Sequence, residues 1–271
     1  MKPWPFLLAA LVMANQLFAL PDTHAIAGGI WRIDLPASAT KPAVRFNDKA
    51  VKTVRSNNGW HAVIGIPLDA SGDIQASVDG KALTLALTEH AYAEQRLTVQ
   101  RKHSNPNNTA MERIRSEFAR MSPVYTSFNN NTTEHWPEFR WPLHGRVSSP
   151  FGLRRFFNDQ PRRPHSGIDI AAPTGTAVKA PATGTVVLTG DFYFNGNSVF
   201  IDHGQGLISM MCHLSRIDVK EGDVVEIGTT IGAVGATGRA TGPHLHWTVS
   251  LNNARIDPRL VVPEPLKSES K

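Results

Sequence analysis

From residue 28 to about residue 100, apolar and polar positions alternate in short runs bounded by turn residues. Ile30-Trp31-Arg32-Ile33-Asp34-Leu35 steps between the two kinds of side chain, the two-residue period that turns one face of a strand to a core and the other to water. Ala43 to Phe46 leads into a turn at Asn47-Asp48, and Asn58-Gly59 precedes the run His61 to Ile66. Ser71-Gly72-Asp73 and Asp79-Gly80 punctuate the chain before Leu83 to Leu87. Strands of this length and spacing predict a small antiparallel unit, a β-sandwich-like N-terminal domain over residues 26–100.

The pattern then changes. Residues 102–108 are polar with a proline, and Thr109 opens a predicted helix, Ala110 to Met121, which Ser122-Pro123 is expected to stop. Asn129 to Thr133 is polar, so residues 101–138 read as a connector containing one helix. From Arg140 the strand pattern resumes, and the clearest candidates are residues 185–188, 198–202, 207–213, 223–227, 230–234 and 244–250. The expected fold class is mainly β. A small antiparallel N-terminal domain and a connector helix precede a C-terminal antiparallel, barrel-like sheet over residues 139–263, and residues 264–271 form a polar, flexible tail.

The first twenty residues carry one cation, Lys2, then the apolar run Pro5 to Met13 and a less apolar stretch to Ala19. This is the three-part form of a secretory signal, read here as residues 1–25. Asn15 and Gln16 cut the run well below the roughly 20 residues that span a bilayer, so no stable membrane anchor is expected. Composition adds two exclusions. Cys212 is the single cysteine, so no intramolecular disulfide can form, and an inert core thiol is expected. A net charge of +5 favours an anionic partner, but no basic run interleaved with aromatics appears, and with export this argues against nucleic acid.

Candidate chemistry concentrates in the second domain. In His165-Ser166-Gly167-Ile168-Asp169 an imidazole and a carboxylate stand four residues apart. A helix would put both on one face, but Gly167, Pro164 and Pro173 argue against one, so the pair would converge from an extended or bent segment entering a strand. Taken alone, a surface histidine and a solvated aspartate explain the group as well. In Gly242-Pro243-His244-Leu245-His246-Trp247, strand alternation puts His244 and His246 on one face and Leu245 and Trp247 on the other. Together the groups offer two or three imidazoles and one carboxylate, the donors of a zinc site that keeps a position open for water. Cys212 alone could not close a structural site, and magnesium or calcium would want more oxygen ligands.

These groups belong to a longer ordered set of motifs. Ser149-Pro150-Phe151-Gly152 precedes HSGIDIAAPTGTAVKAPATGTV from His165 to Val186, followed by Ile201-Asp202-His203-Gly204, His213-Leu214-Ser215 and GATGRATGPHLHW from Gly235 to Trp247. Over roughly residues 141–262 the chain resembles the lysostaphin-type, or LytM-like, zinc endopeptidases of bacterial cell walls. The resemblance implies one zinc ion per chain on His165, Asp169 and His246, with His213 and His244 acting on the water or the developing oxyanion. It implies cleavage of the stem-peptide cross-links of peptidoglycan. With the signal segment a periplasmic or secreted monomer is expected, and the lack of disulfides and lipidation with the added N-terminal domain favours D-alanyl-diaminopimelate bonds over oligoglycine. A noncatalytic LytM-like activator of a cell-wall amidase and a secreted bacteriolytic peptidase are the alternatives. Met211 stands where the family commonly has tyrosine, which would alter the pocket near His213. Because ligation and base catalysis both need neutral imidazole, activity is expected to fall below about pH 6. His203 is expected to be structural, and His61, His90, His103, His135 and His144 ordinary. Gly235 to Gly242 reads as a bend in the cleft wall, since it lacks the G-K-[ST] ending of a phosphate loop.

Overall fold

The computed structural model describes residues 19–97, 107–130 and 134–263. Most of the expected signal segment, the tail at 264–271 and His103 lie outside the described residues.

Two antiparallel sheets build the N-terminal unit. In one, Gly59–Gly65 runs between Ile30–Leu35 and Lys52–Ser56; the other orders Lys49–Ala50, Val44–Phe46, Asp73–Val78 and Lys81–Ala86. Trp31, Ile33, Leu35, Trp60, Ala62 and Ile64 meet Val44, Phe46 and Ala76 between them, a sandwich-like core. The first sheet is buried on its other face as well, where Ile30, Val54 and Val63 join the main core of the C-terminal unit. That explains why Ala62 to Ile66 reads as continuous apolar sequence in place of alternation. Asn252 fixes the junction by bonding both backbone groups of Gly65, accepting from its N–H at 2.7 Å and donating to its carbonyl at 3.0 Å. A side chain at Gly65 would run into the Leu251 carbonyl, 2.6 Å from its Cβ.

Lys52 lies in this same junction. Its side chain is buried beneath Trp136, and Nζ donates to the Gly204 carbonyl at 3.1 Å. Burial pushes its pKa down to about 7, against a partial pull upward from Asp202. The unfolded lysine keeps its proton to about 10.5, so between these values the unfolded state binds more protons and stability rises with pH. Denaturant unfolding at about pH 7.5 and 9.5 is expected to show a gain of up to roughly 1 kcal/mol per pH unit that Lys52→Met abolishes. An equal slope in the two proteins would place the titration elsewhere.

The connector helix spans Asn108–Thr126, longer than expected at both ends. The Asn107 side chain caps it by accepting from the Ala110 N–H at 2.9 Å, and the helix passes through Pro123 without stopping. A proline so near the C-terminus removes one intrahelical bond. Met121 and Tyr125, on either side of it, are buried against Leu188, Phe192, Phe200 and Met210, and that packing holds the last turn.

The C-terminal unit is one ten-stranded antiparallel sheet, open instead of closed into a barrel. Its main path runs Val224–Val225, Gly184–Phe192, Gly196–Asp202, Leu207–Ile217, His244–Leu251, Ile168–Ala171 and Arg146–Ser149. The strand Ala177–Lys179 pairs with Thr230–Val234, which joins the far end of Leu207–Ile217, and Ala254–Ile256 pairs with His244–Leu251. Unforeseen in the sequence is a parallel pairing between Glu94–Leu97 and Arg154–Phe157, which ties the end of the N-terminal unit to a hairpin of the C-terminal one.

Candidate metal centre

The strand Ile168–Ala171 lies antiparallel to His244–Leu251, with Asp169 opposite His246 and Ala171 opposite His244. Opposed residues share a face, so burying Ile168, Ile170, Leu245 and Trp247 in the core sends Asp169, His244 and His246 together to the other side. His165, four residues upstream of Asp169, completes the group from the bend before the strand. Gly167 makes that bend possible, because a Cβ there would lie 2.4 Å from the Trp247 carbonyl and 2.8 Å from His246 Nε2.

Three donor atoms converge. His165 Nε2 is 3.0 Å from both Asp169 Oδ1 and His246 Nδ1, and His246 Nδ1 is 2.8 Å from Asp169 Oδ1. Partners on the far ring nitrogens set the tautomers. His165 Nδ1 donates to the Pro150 carbonyl at 2.8 Å, and His246 Nε2 faces Thr248 Oγ1 at 2.9 Å. The Pro150 carbonyl, an acceptor only, leaves His165 Nε2 unprotonated toward Asp169 Oδ1, and the Thr248 hydroxyl can accept from His246 Nε2 in the same way. Lone pairs and a carboxylate oxygen then share one space, an arrangement suited to a cation. Two nitrogens and one oxygen are a donor set that fits a catalytic zinc. Burial on its own would raise the Asp169 pKa, but the two imidazoles facing its carboxylate, His165 and His246, hold it well below the usual carboxylate range. Burial lowers the His246 pKa, favouring the neutral ring that a ligand must be.

His244 and His213 adjoin this group. His244 Nε2 is 3.8 Å from Asp169 Oδ1, and its Nδ1 donates to the Gly242 carbonyl at 2.8 Å. The His213 ring lies 4.8 Å from that of His244 and 6.1 Å from that of His246, centre to centre. It gets there through a left-handed backbone, φ +62°, that breaks the alternation of Leu207–Ile217. Its Nδ1 donates to the Thr237 carbonyl at 2.8 Å, leaving Nε2 unprotonated, and burial, followed by the charge of His246, pushes its pKa down to about 4.

Sequence reasoning brought all five residues to the site but missed what holds them. Thr237 fixes His213 with its carbonyl, while its hydroxyl donates to Leu214 O at 2.8 Å and accepts from the Asn197 N–H at 3.0 Å. Gly196 and Gly238 permit that contact, both at positive φ and too close for a Cβ on either. The reading of residues 235–242 as a bend named no contact for Thr237. Thr237→Val is expected to lower turnover by about tenfold with bound metal unchanged, and Thr237→Ser to restore it. Loss of metal in the valine variant would show that the loop supports the ligands instead. Arg155 was also missed: its Nη2 donates to Ser149 Oγ at 2.8 Å and lies 3.6 Å from Asp169 Oδ2. Met211 corrects an expectation, since it pairs with Trp247 and is buried in the main core, on the face away from the ligands. His203 is buried, with Nδ1 on the Thr183 carbonyl and Nε2 on Ser209 Oγ, both at 2.8 Å, a structural role. Cys212 is a buried free thiol whose pKa burial raises.

The sequence of both units and their arrangement have counterparts in known proteins. Residues 163–258 match peptidase family M23, and residues 23–103 match the M23 N-terminal domain. The peptidoglycan DD-endopeptidase ShyC of Vibrio cholerae is 32% identical over 82% of this chain and 54% of its own length. The DD-carboxypeptidase/endopeptidase Mpg of Neisseria meningitidis is 42% identical over 45% of this chain and 29% of its own. The chain thus spans about half or less of the length of these curated relatives. A crystal structure assigned to peptidase M23 from Pseudomonas aeruginosa superimposes with a TM-score of 0.73 at 38% identity, covering 89% of this chain and 96% of that one. With both of its units matched in sequence and the whole arrangement matched in structure, the chain belongs to peptidase family M23.

Proposed function

We propose that the chain is an exported zinc endopeptidase that hydrolyses peptide cross-links of bacterial peptidoglycan. The observation that carries this reading is the convergence of His165 Nε2, Asp169 Oδ1 and His246 Nδ1 beside two further imidazoles. A zinc ion held by these three would polarise a peptide carbonyl and acidify a water molecule toward a pKa of about 7.

The rest of the chemistry falls to the chain's own side chains. His213, neutral at physiological pH and with Nε2 free of its backbone bond, takes the proton of the attacking water and passes it to the leaving amine. His244, its Nδ1–H held by the Gly242 carbonyl, stabilises charge developing on the carbonyl oxygen as the imidazolium, donating from Nε2. A complete ligand set supports catalysis over the amidase-activator role, and the names of ShyC and Mpg support the wall as substrate. D-alanyl-diaminopimelate cross-links are the proposed bonds, and a monomer carrying one zinc the proposed form. Export rests on the signal-like segment at residues 1–25; among the described residues no helix is long and apolar enough to cross a membrane.

Purified sacculi incubated with the mature protein test the proposal. Mass spectrometry should find cross-linked fragments replaced by monomers carrying new termini, and a chelator should stop their release. Sacculi left intact, or cleavage that a chelator does not affect, would reject it.

A further inference from the structure

The strand that carries Arg155, Arg154–Phe157, lies outside the ten-stranded sheet, in a separate three-stranded one. On one side Phe156 and Phe157 pair with Gln160–Pro161. On the other, all four residues pair in parallel with Glu94–Leu97, the last strand of the N-terminal unit. The Arg154 N–H donates to the Ala93 carbonyl at 2.9 Å, and a parallel ladder then turns the Gln95 N–H back toward Arg154. Alternation sends neighbouring side chains to opposite faces. Arg154 meets the Glu94 carboxylate at 3.2 Å, and Arg155 faces the metal centre. Just upstream, Tyr92 of the N-terminal unit packs edge-on against Phe151, ring centres 6.0 Å apart.

At the centre, the Arg155 guanidinium reaches the supports of two proposed ligands. Nη2 donates to Ser149 Oγ at 2.8 Å, and that hydroxyl lies 3.3 Å from His165 Nδ1, on the far side of the ring from the converging Nε2. The same Nη2 is 3.6 Å from Asp169 Oδ2, whereas Oδ1 is the oxygen that meets His165 and His246. A planar fork beside the outer oxygen keeps Oδ1 aimed at the two imidazoles. Its charge acts the other way, since a cation opposes a bound metal ion. Arg155 is 31% exposed, so solvent screens the charge, but solvent does not undo a fixed geometry.

We propose that Arg155 is a positioning residue for the metal centre, and that the N-terminal unit sustains the centre by holding the strand of Arg155 through Glu94–Leu97. This rests on the metal-centre reading under the proposed function and deepens it. The N-terminal unit becomes a support of zinc binding, and loosening its last strand lowers metal affinity.

The test measures zinc affinity of full-length variants by competition with a chromophoric chelator, beside the melting temperature of the metal-free proteins. Arg155→Met should weaken zinc binding about tenfold and keep the melting temperature within about 3 °C of wild type. Arg155→Lys, which keeps the charge but not the planar fork, should recover part of the loss. Gln95→Pro removes a ladder donor and should weaken zinc by no more than Arg155→Met does, while Gln95→Ala, which keeps the ladder, should match wild type. The double variant Arg155→Met with Gln95→Pro should stay within about twofold of Arg155→Met alone, because both changes act through one side chain. Wild-type affinity in Arg155→Met would overturn the positioning role while leaving the metal centre intact. Fully additive losses in the double variant would overturn the link to the N-terminal unit. Should Arg155→Met not fold, Arg155→Lys decides, and wild-type affinity there overturns the role. A wild type that binds no zinc would reject the metal centre and this role together.

Discussion

His246→Ala is expected to fold normally, lose zinc affinity by more than about 100-fold and release no wall fragments. Losing a residue that merely orients a ligand typically costs 10- to 100-fold in affinity or activity, and losing a ligand costs more. His165 Nε2 and Asp169 Oδ1 would remain, two donors where a catalytic zinc uses three from the protein. Asp169 would also lose one of the two imidazoles that hold its pKa down. The fold should survive, because Leu245 and Trp247, which anchor the strand, point into the core on the opposite face. Elemental analysis beside a sacculus digest reads both consequences. Full zinc occupancy in this variant would remove His246 from the ligand set.

His213→Ala should do the reverse, keeping zinc while turnover falls by about 10² to 10⁴, the range for a single acid-base group. No ligand atom is removed, since His213 is not among the three converging donors and its ring lies 4.8 Å from that of His244 and 6.1 Å from that of His246. Alanine at φ +62° carries backbone strain, so His213→Asn, a residue tolerant of left-handed geometry, separates lost chemistry from lost fold. The pH profile gives a second readout. Only neutral imidazole accepts a proton, and a pKa lowered to about 4 keeps that form populated as pH falls. The acid limb therefore belongs below pH 6. An acid limb at the unperturbed value near 6.5 would mean that His213 does not set it.

Much of this centre was readable because strand alternation is strict: one glance at His244-Leu245-His246-Trp247 separates ligand face from core face. The register placing Asp169 opposite His246 was not readable, since pairing is decided by residues far apart in the chain. The same holds for Thr237 and Arg155, whose roles exist only through contacts with His213 and Asp169. In the N-terminal unit, the strand Lys52–Ser56 escaped notice because it opens with a lysine, a residue seldom buried, and only the Gly204 carbonyl and Trp136 explain its presence. The helix outran its expected end because burial of Met121 and Tyr125 outweighs the one bond that Pro123 cannot make.

Anomalous diffraction at the zinc absorption edge, from crystals of the zinc-loaded protein, addresses the metal centre most directly. A single peak is expected about 2.0 to 2.2 Å from His165 Nε2, His246 Nδ1 and an Asp169 carboxylate oxygen, with no fourth protein ligand. A peak at other side chains, or one whose shell His213 or His244 closes, would contradict a catalytic zinc held by these three residues.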